Sequence, residues 1–326
     1  MEDAGRIETD AMLADLERRL NREYAQAARE VREKTIDYLA EFREKDRVWR
    51  RKLAMGKITE KEYRDWRMNQ MLVGKRWEDM ANELARDFHR TNVIAKGMIN
   101  EEKQEVYAEN FNYGTFEAET GSMVNTSFTL YDRHTVARLM RDDPDLLPPP
   151  GQKVSAAIAA GKDLLWNRQM IQSVMTQGIL QGESIPKLAT RLATAVGDSN
   201  RAAAIRNART MTTGAECAGR VDSYKRAEGM GIRMRQQWIS TLDGRTRDSH
   251  VDMDGEVIDV GGTFSNKCRF PGDPQGPAGE VYNCRCTLIA QIEGYEIDVV
   301  SERQVDPDLG GISYAEWKAQ HGRRRA

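Results

Sequence analysis

The chain is short of cysteine, short of proline and without an excess of either charge. Four cysteines in 326 residues are too few for the disulfide framework of a small secreted domain. Lys and Arg total 49 against 51 Asp and Glu, and the formal net charge of -2 carries no whole-chain signature of nucleic-acid binding. No run approaches the ~18 apolar residues needed to span a bilayer. The opening MEDAGRIETD has neither the basic start nor the apolar run of a signal peptide. The expectation is therefore a protein assembled in a cytoplasm, with thiols that are free or metal-bound. P-loop, GxGxxG, HExxH and GxSxG stretches are missing as well, which removes the commonest signs of nucleotide, zinc-protease and hydrolase chemistry.

Proline is absent from about residue 10 to residue 53, and Ala, Glu, Arg, Leu and Lys dominate there, so one long helix is predicted. Gly56 interrupts it, and Thr59 with Glu62 has the spacing of a capping box for the next helix. Trp77, Met80, Leu84 and Phe88 recur at three- and four-residue steps and share one face. A seam between helices of the same chain ranks above a partner surface for that stripe. Tyr107, Phe111, Tyr113 and Phe116 predict aromatic packing on a helix that ends near Gly114. Four prolines in RDDPDLLPPPG make a rigid connector, and a boundary is drawn at 150. A second helical block covers about 154–228. Within it GILQGESIPKLATRL reads as a helical hairpin, with Gly182 ending one helix, Ser184 capping the next and Pro186 in its first turn. Lys187 and Arg191 are ordinary for any helix surface, so the hairpin reading ranks first and DNA readout by that second helix is a minor alternative.

After Gly231 the pattern changes. RMRQQWIST, EVIDV and CTLIAQIE have strand composition, and Asp243-Gly244 and Asp254-Gly255 mark tight turns. The fold class is α+β: a long helical N-terminal region, 1–150, followed by a helical block packed on a small β-containing C-terminal module, 151–293. Residues 294–326 make a short tail ending in the basic Arg323, Arg324 and Arg325.

The module holds the chemistry-bearing residues. His250, Cys268, Cys284 and Cys286 make up a complete tetrahedral set for structural zinc, and a small module with a long irregular loop gains from a metal pin. C-x-C is not the common zinc-knuckle spacing, however. Two small buried residues on one strand face is the plainer reading of Cys284 and Cys286. A Cys–His nucleophile is a third option, with Asp248 or Asp252 orienting His250. Arg245 and Arg247 have the chemistry to grip a phosphate, but ion pairs with Asp243, Asp248 or Asp254 that fix the turns are preferred. Cys217, inside the helical block, reads as a core residue.

Together, QQWISTLDGRTRDSHVDMDGEVIDV, FPGDP and VYNCRC resemble the head morphogenesis family of tailed bacteriophages, the Mu F-like minor head proteins. The positions that match its signature are Trp238, Asp243, Arg245, Thr246, Arg247, His250, Gly255, Pro271, Gly272, Asn283, Cys284, Arg285 and Cys286. RNARTMTTGAECAGRVDSY is similar to the helix that precedes them, with Arg209 and Thr210 in the family's Arg-Thr position. The resemblance covers roughly residues 155–293, and NEEKQEVYAENFNYGTFEAE looks like the helical N-terminal region of full-length members. It implies a low-copy virion protein, incorporated in the procapsid inside the head near the portal vertex. It supplies no chemistry, and the lack of a standard catalytic motif makes a non-enzyme the expectation. The implied roles are head morphogenesis and DNA packaging or ejection. The implied partners are the portal oligomer, scaffold or major capsid protein, and weakly the packaged DNA. The N-terminal region is expected to carry the portal or capsid contact. About thirty residues follow the domain, and no appended toxin-like domain is expected there. The resemblance does not say whether the His and Cys positions bind metal, catalyse or hold the fold, so zinc is a suggestion of the residues alone. The alternative is a capsid-packaged enzyme or DNA-binding protein that uses Arg245, Arg247, His250 and the cysteines.

Overall fold

The computed structural model describes residues 3–72, 75–143, 157–295 and 309–323. The long helices are α1 (Ala4–Ala54), α2 (Glu60–Leu72), α3 (Lys75–Ser122), α4 (Arg133–Asp142), α5 (Lys162–Leu180) and α6 (Ile185–Glu228). The C-terminal part then alternates β1 (Ile232–Ile239), α7 (Asp248–Asp252), β2 (Val257–Asp259), α8 (Ala278–Val281), β3 (Thr287–Tyr295) and α9 (Tyr314–Arg323). The class is α+β, as expected. The break after α1 comes at Gly56, whose φ of 69° suits a residue without Cβ. The capping box then starts α2: Thr59 donates its N–H to Glu62 Oε2 at 2.7 Å, and Glu62 N–H returns to Thr59 Oγ1 at 3.2 Å.

Compactness groups the chain differently from boundaries at 150 and 293. One unit comprises Met1–Glu17, Met98–Gln152 and Arg206–Ala326, and the other Arg18–Gly97 and Lys153–Ile205. The reason is length: α1, α3 and α6 each contribute residues to both units.

The second unit is helical. Val31, Leu84, Phe88, Ile171, Leu192 and Val196 share one buried apolar cluster. Trp77, Met80, Leu84 and Phe88 are all buried, so their stripe is a seam within the chain. A polar ladder crosses the same unit. Tyr24 donates to Asn92 Oδ1 at 2.7 Å, Asn92 to Asn200 at 2.9 Å, and Asn200 to Asn167 at 2.8 Å. In the α5–α6 hairpin Gly182 has φ of 68°, and Pro186 falls in the first turn of α6. Lys187 and Arg191 both pair with Glu183, at 3.3 and 2.7 Å, so these cations brace the hairpin.

The first unit carries the sheet, ordered β2–β1–β3 and antiparallel throughout. Gln237 stands opposite Val257 on one side and Ile289 on the other. Along β1 the buried residues alternate as Ile232, Met234, Gln236 and Trp238. Two expectations are corrected here. α3 does not end near Gly114 but runs to Ser122. A Cβ at Gly114 would lie 2.1 Å from Ser223 Oγ, and one at Gly219 would lie 2.5 Å from the Tyr107 carbonyl oxygen. These glycines let α3 and α6 approach closely. The C-terminal segment, expected as a short tail, carries a helix packed on the unit. Tyr314 and Trp317 of α9 are buried among Tyr113, Phe116 and Phe128, and Trp317 Nε1 donates to Glu119 at 2.7 Å. Arg324, Arg325 and the proline-rich connector 144–150 lie outside the described residues.

Gly219→Ala forces a methyl against a backbone carbonyl that cannot rotate away. A loss of about 2 kcal/mol is expected in urea unfolding, within the usual range for overpacking. A change below about 0.5 kcal/mol would show that the two helices can separate at no cost.

Candidate functional site

The site forms where three irregular segments meet the N-terminal end of the first unit's stretch of α6. Trp238, at the end of β1, is fully buried and receives His250 edge-on at 5.3 Å and Phe264 at 5.2 Å. Its Nε1 donates to Ser240 Oγ at 3.1 Å, and Ser240 Oγ donates to the His250 carbonyl at 2.5 Å. Gly255, with φ of 83°, turns the chain back so that its N–H donates to the Trp238 carbonyl at 2.9 Å. β1 and the turn after α7 thus hold the imidazole in place.

Residues 243–247 serve structure. Arg285 grips Asp243 with both guanidinium nitrogens, at 2.5 and 2.7 Å. That fork, followed by the Arg245 N–H, holds the Asp243 carboxyl well below the usual carboxylate range. Thr246 donates its hydroxyl to the Thr241 carbonyl, and Arg247 donates to the Tyr282 carbonyl. The expected pairing of Arg247 with an aspartate does not occur. Arg245 is largely exposed and reaches Asp243 only at 3.8 Å.

The NCRC segment is tied to α6 through its backbone. Asn283 adopts φ of 55°, a left-handed conformation that asparagine tolerates, and its N–H donates to Thr210 Oγ1 at 3.0 Å. Thr213 Oγ1 donates to the Cys284 carbonyl at 2.8 Å, and Thr241 Oγ1 to the Arg285 carbonyl at 2.6 Å. Arg209 instead reaches Glu17 at 2.6 Å. The FPGDP loop follows Pro271 onto the same helix. Gly272 has φ of 76°, and a Cβ there would stand 2.7 Å from the Gly214 nitrogen. Within the loop Asp273 is buried and accepts from the Arg269 and Gln275 N–H groups and the Arg269 guanidinium.

Three of the four zinc candidates converge. Cys286 Sγ lies 3.3 Å and Cys284 Sγ 3.7 Å from His250 Nδ1. Cys268 is buried in the same apolar cluster but lies outside this donor group, with its sulfur against Gly276. The hydrogen bond from the Cys284 thiol, aided by His250 and the Thr241 backbone, pulls the Cys286 thiol well below the usual range, against the effect of burial. The same bond together with burial pushes Cys284 up. Burial raises Cys268 to about 12, which suits an inert thiol. The carboxylate facing His250 is neither Asp248 nor Asp252, both of them exposed. It is Glu280 of α8, whose Oε2 stands 3.0 Å from His250 Nε2 at an angle short of a hydrogen bond. No spacing rule links positions 250 and 280, so Glu280 escapes a reading of the sequence. Thr213, Gly214 and Asp273 escape it for the same reason.

Beside NCRC opens a cleft of about 270 Å³, lined by Arg6, Glu17, Arg209, Thr213, Arg245 and Arg285 among others. Three of its arginines are compensated internally: Arg6 pairs with Glu216, Arg209 with Glu17, and Arg285 with Asp243, while Arg245 stands largely exposed, 3.8 Å from Asp243.

Residues 169–289, which hold nearly all of these contacts, match the family described as Phage Mu protein F like protein. Over that span the chain is similar to the Mu F-like proteins. Minor head protein GP7 of Bacillus phage SPP1 is 28% identical over 229 residues, covering 68% of this chain and 71% of that protein. The NAD(+)–arginine ADP-ribosyltransferase EFV of Enterococcus faecalis is 27% identical over 179 residues, covering 54% of this chain but 36% of that protein. An uncharacterized Bacillus subtilis protein, YqbB, is 29% identical over 127 residues, 40% of its length. The chain thus spans well under half of two of these three relatives. No solved structure matches it.

Thr213→Val keeps the shape of the side chain and removes its bond to the buried NCRC backbone. A loss of about 1 kcal/mol is expected, with faster amide exchange confined to residues near 284. Unchanged exchange there would show that α6 does not hold the segment.

Proposed function

We propose that this chain is a structural minor head protein of a tailed bacteriophage, incorporated in the procapsid at the portal vertex. Its role is in head morphogenesis and in the handling of DNA during packaging or ejection. The observation that carries this reading is the match to minor head protein GP7, which covers 68% of the chain and so extends beyond the Mu F-like domain. The site agrees with it. Arg247 and Arg285 are spent on the Tyr282 carbonyl and on Asp243, and His250 is buried. Such an arrangement holds loops together and leaves little for a substrate. The activity in the Enterococcus protein's name is not carried over, because the match spans 36% of that protein.

Docking on the portal falls to the polar outer faces of the N-terminal helices, since their apolar stripe is used within the chain. Contact with packaged DNA in this reading is weak and sensitive to salt, because it rests on displaced counterions. No helix among the described residues is long and apolar enough to cross a membrane.

The test uses the full chain. A fragment starting near 154 would expose the faces of Ile171 and Leu192 that pack on α1 and α3. Co-expression with the portal protein of the same phage should yield a complex that co-elutes in size-exclusion chromatography, and phage lacking the chain should build defective heads or inject poorly. Separate elution together with normal heads and infection would overturn the reading.

A further inference from the structure

The geometry points to a zinc site made by His250 Nδ1 and the sulfurs of Cys284 and Cys286, with Glu280 orienting the imidazole through Nε2. The donors come from two segments far apart in sequence, α7 and the lead into β3, and meet inside the apolar cluster of the first unit. Their exposures are 1%, 1% and 2%, so solvent barely reaches them. All three donor atoms lie within 4.8 Å of one another.

The spacing suits one tetrahedral ion. Zinc bonds of ~2.3 Å to sulfur and ~2.05 Å to imidazole nitrogen, at tetrahedral angles, set nitrogen and sulfur about 3.6 Å apart. The observed separations of 3.3 and 3.7 Å bracket that value. Nδ1 faces two sulfurs at once, as a single ion shared by all three donors requires. The opposite edge of the ring explains its orientation. Nε2 stands 3.0 Å from the Glu280 carboxylate, and the other ring nitrogen, Nδ1, is thereby left facing the two sulfurs. A carboxylate behind a histidine ligand is the common outer partner of bound zinc, since it sets the tautomer and makes the ligand more basic.

The donor chemistry selects the metal. Two thiolates and an imidazole suit zinc, whereas magnesium and calcium prefer oxygen. Among the described residues no fourth His, Cys, Asp or Glu joins the group, so the remaining position falls to a water molecule. Binding displaces the thiol protons to solvent and leaves the metal's oxidation state unchanged. The consequence is mechanical. The ion would join α7 to the start of β3 and close the loop of residues 251–283 at its base.

The test is metal content and metal affinity of the full chain, purified under reducing conditions without chelator or a nickel column. Elemental analysis should find about one zinc per chain. Metal-free protein titrated with cobalt should develop thiolate-to-cobalt charge-transfer absorption with a single equivalent bound. Cys284→Ser and His250→Gln should lose the ion, while Cys268→Ser should keep it. Glu280→Gln should fold normally and bind ~10–100-fold more weakly in competition with a chromophoric chelator. Wild-type protein that holds no zinc and gives no cobalt spectrum would overturn the site. Loss of metal in Cys268→Ser as complete as in Cys284→Ser would overturn this ligand set. Should Cys284→Ser fail to fold, the wild-type cobalt titration and Glu280→Gln still decide.

Discussion

One buried cation organises the first unit. Arg220 of α6 has no exposed surface, and a guanidinium taken out of water must find partners for its donors or cost several kcal/mol. It finds them on three other segments. NH1 and NH2 reach Asp3 at 2.7 and 2.8 Å, NH1 also reaches the Leu288 carbonyl at 2.7 Å, and Nε reaches Asn110 at 3.0 Å. Its carbon lies 4.8 Å above the Tyr113 ring. The start of the chain, the middle of α3 and the first residues of β3 are thereby fixed to one helix by a single planar group.

The rest of the unit is referred to that helix. One turn from Arg220, Glu216 accepts from Arg6 at 2.6 Å and from Thr287 at 2.5 Å. Further toward the N-terminus of α6 come Gly214, Thr213 and Thr210, which receive the Gly272 turn, the Cys284 carbonyl and the Asn283 N–H. The helix acts as a rail: its C-terminal stretch binds the sheet and the N-terminal segment, and the stretch before it receives the loops that carry His250 and the cysteines. A site built in this way is rigid because each irregular segment is satisfied by a regular one.

Local features were legible in the sequence because their causes are local. The capping box at Thr59 and Glu62, the strand residues of β1 and β3 and the left-handed Gly255 depend on neighbours within a few positions. Gly114 misled for the same reason. A glycine near aromatics reads as a helix end, and only the approach of Ser223 from a helix a hundred residues away explains why it lies inside one. The grouping into compact units was equally hidden, because hydrophobic spacing shows that a face is buried but not which face buries it.

At the site the division is the same. Composition and spacing by themselves determined an α+β chain, an internal helical seam, and a short set of residues, His250 with the cysteines and the Asp-Gly-Arg-Thr-Arg turn, where any chemistry must lie. Only tertiary structure decided that Cys284 and Cys286 face His250 while Cys268 stands aside, that Glu280 lies behind the imidazole, and that Arg285 rather than Arg245 holds Asp243. These are contacts across 30 to 42 residues of largely irregular chain. Their distances are set by where Thr210, Thr213 and Gly214 receive the chain, which no periodicity in the loop encodes.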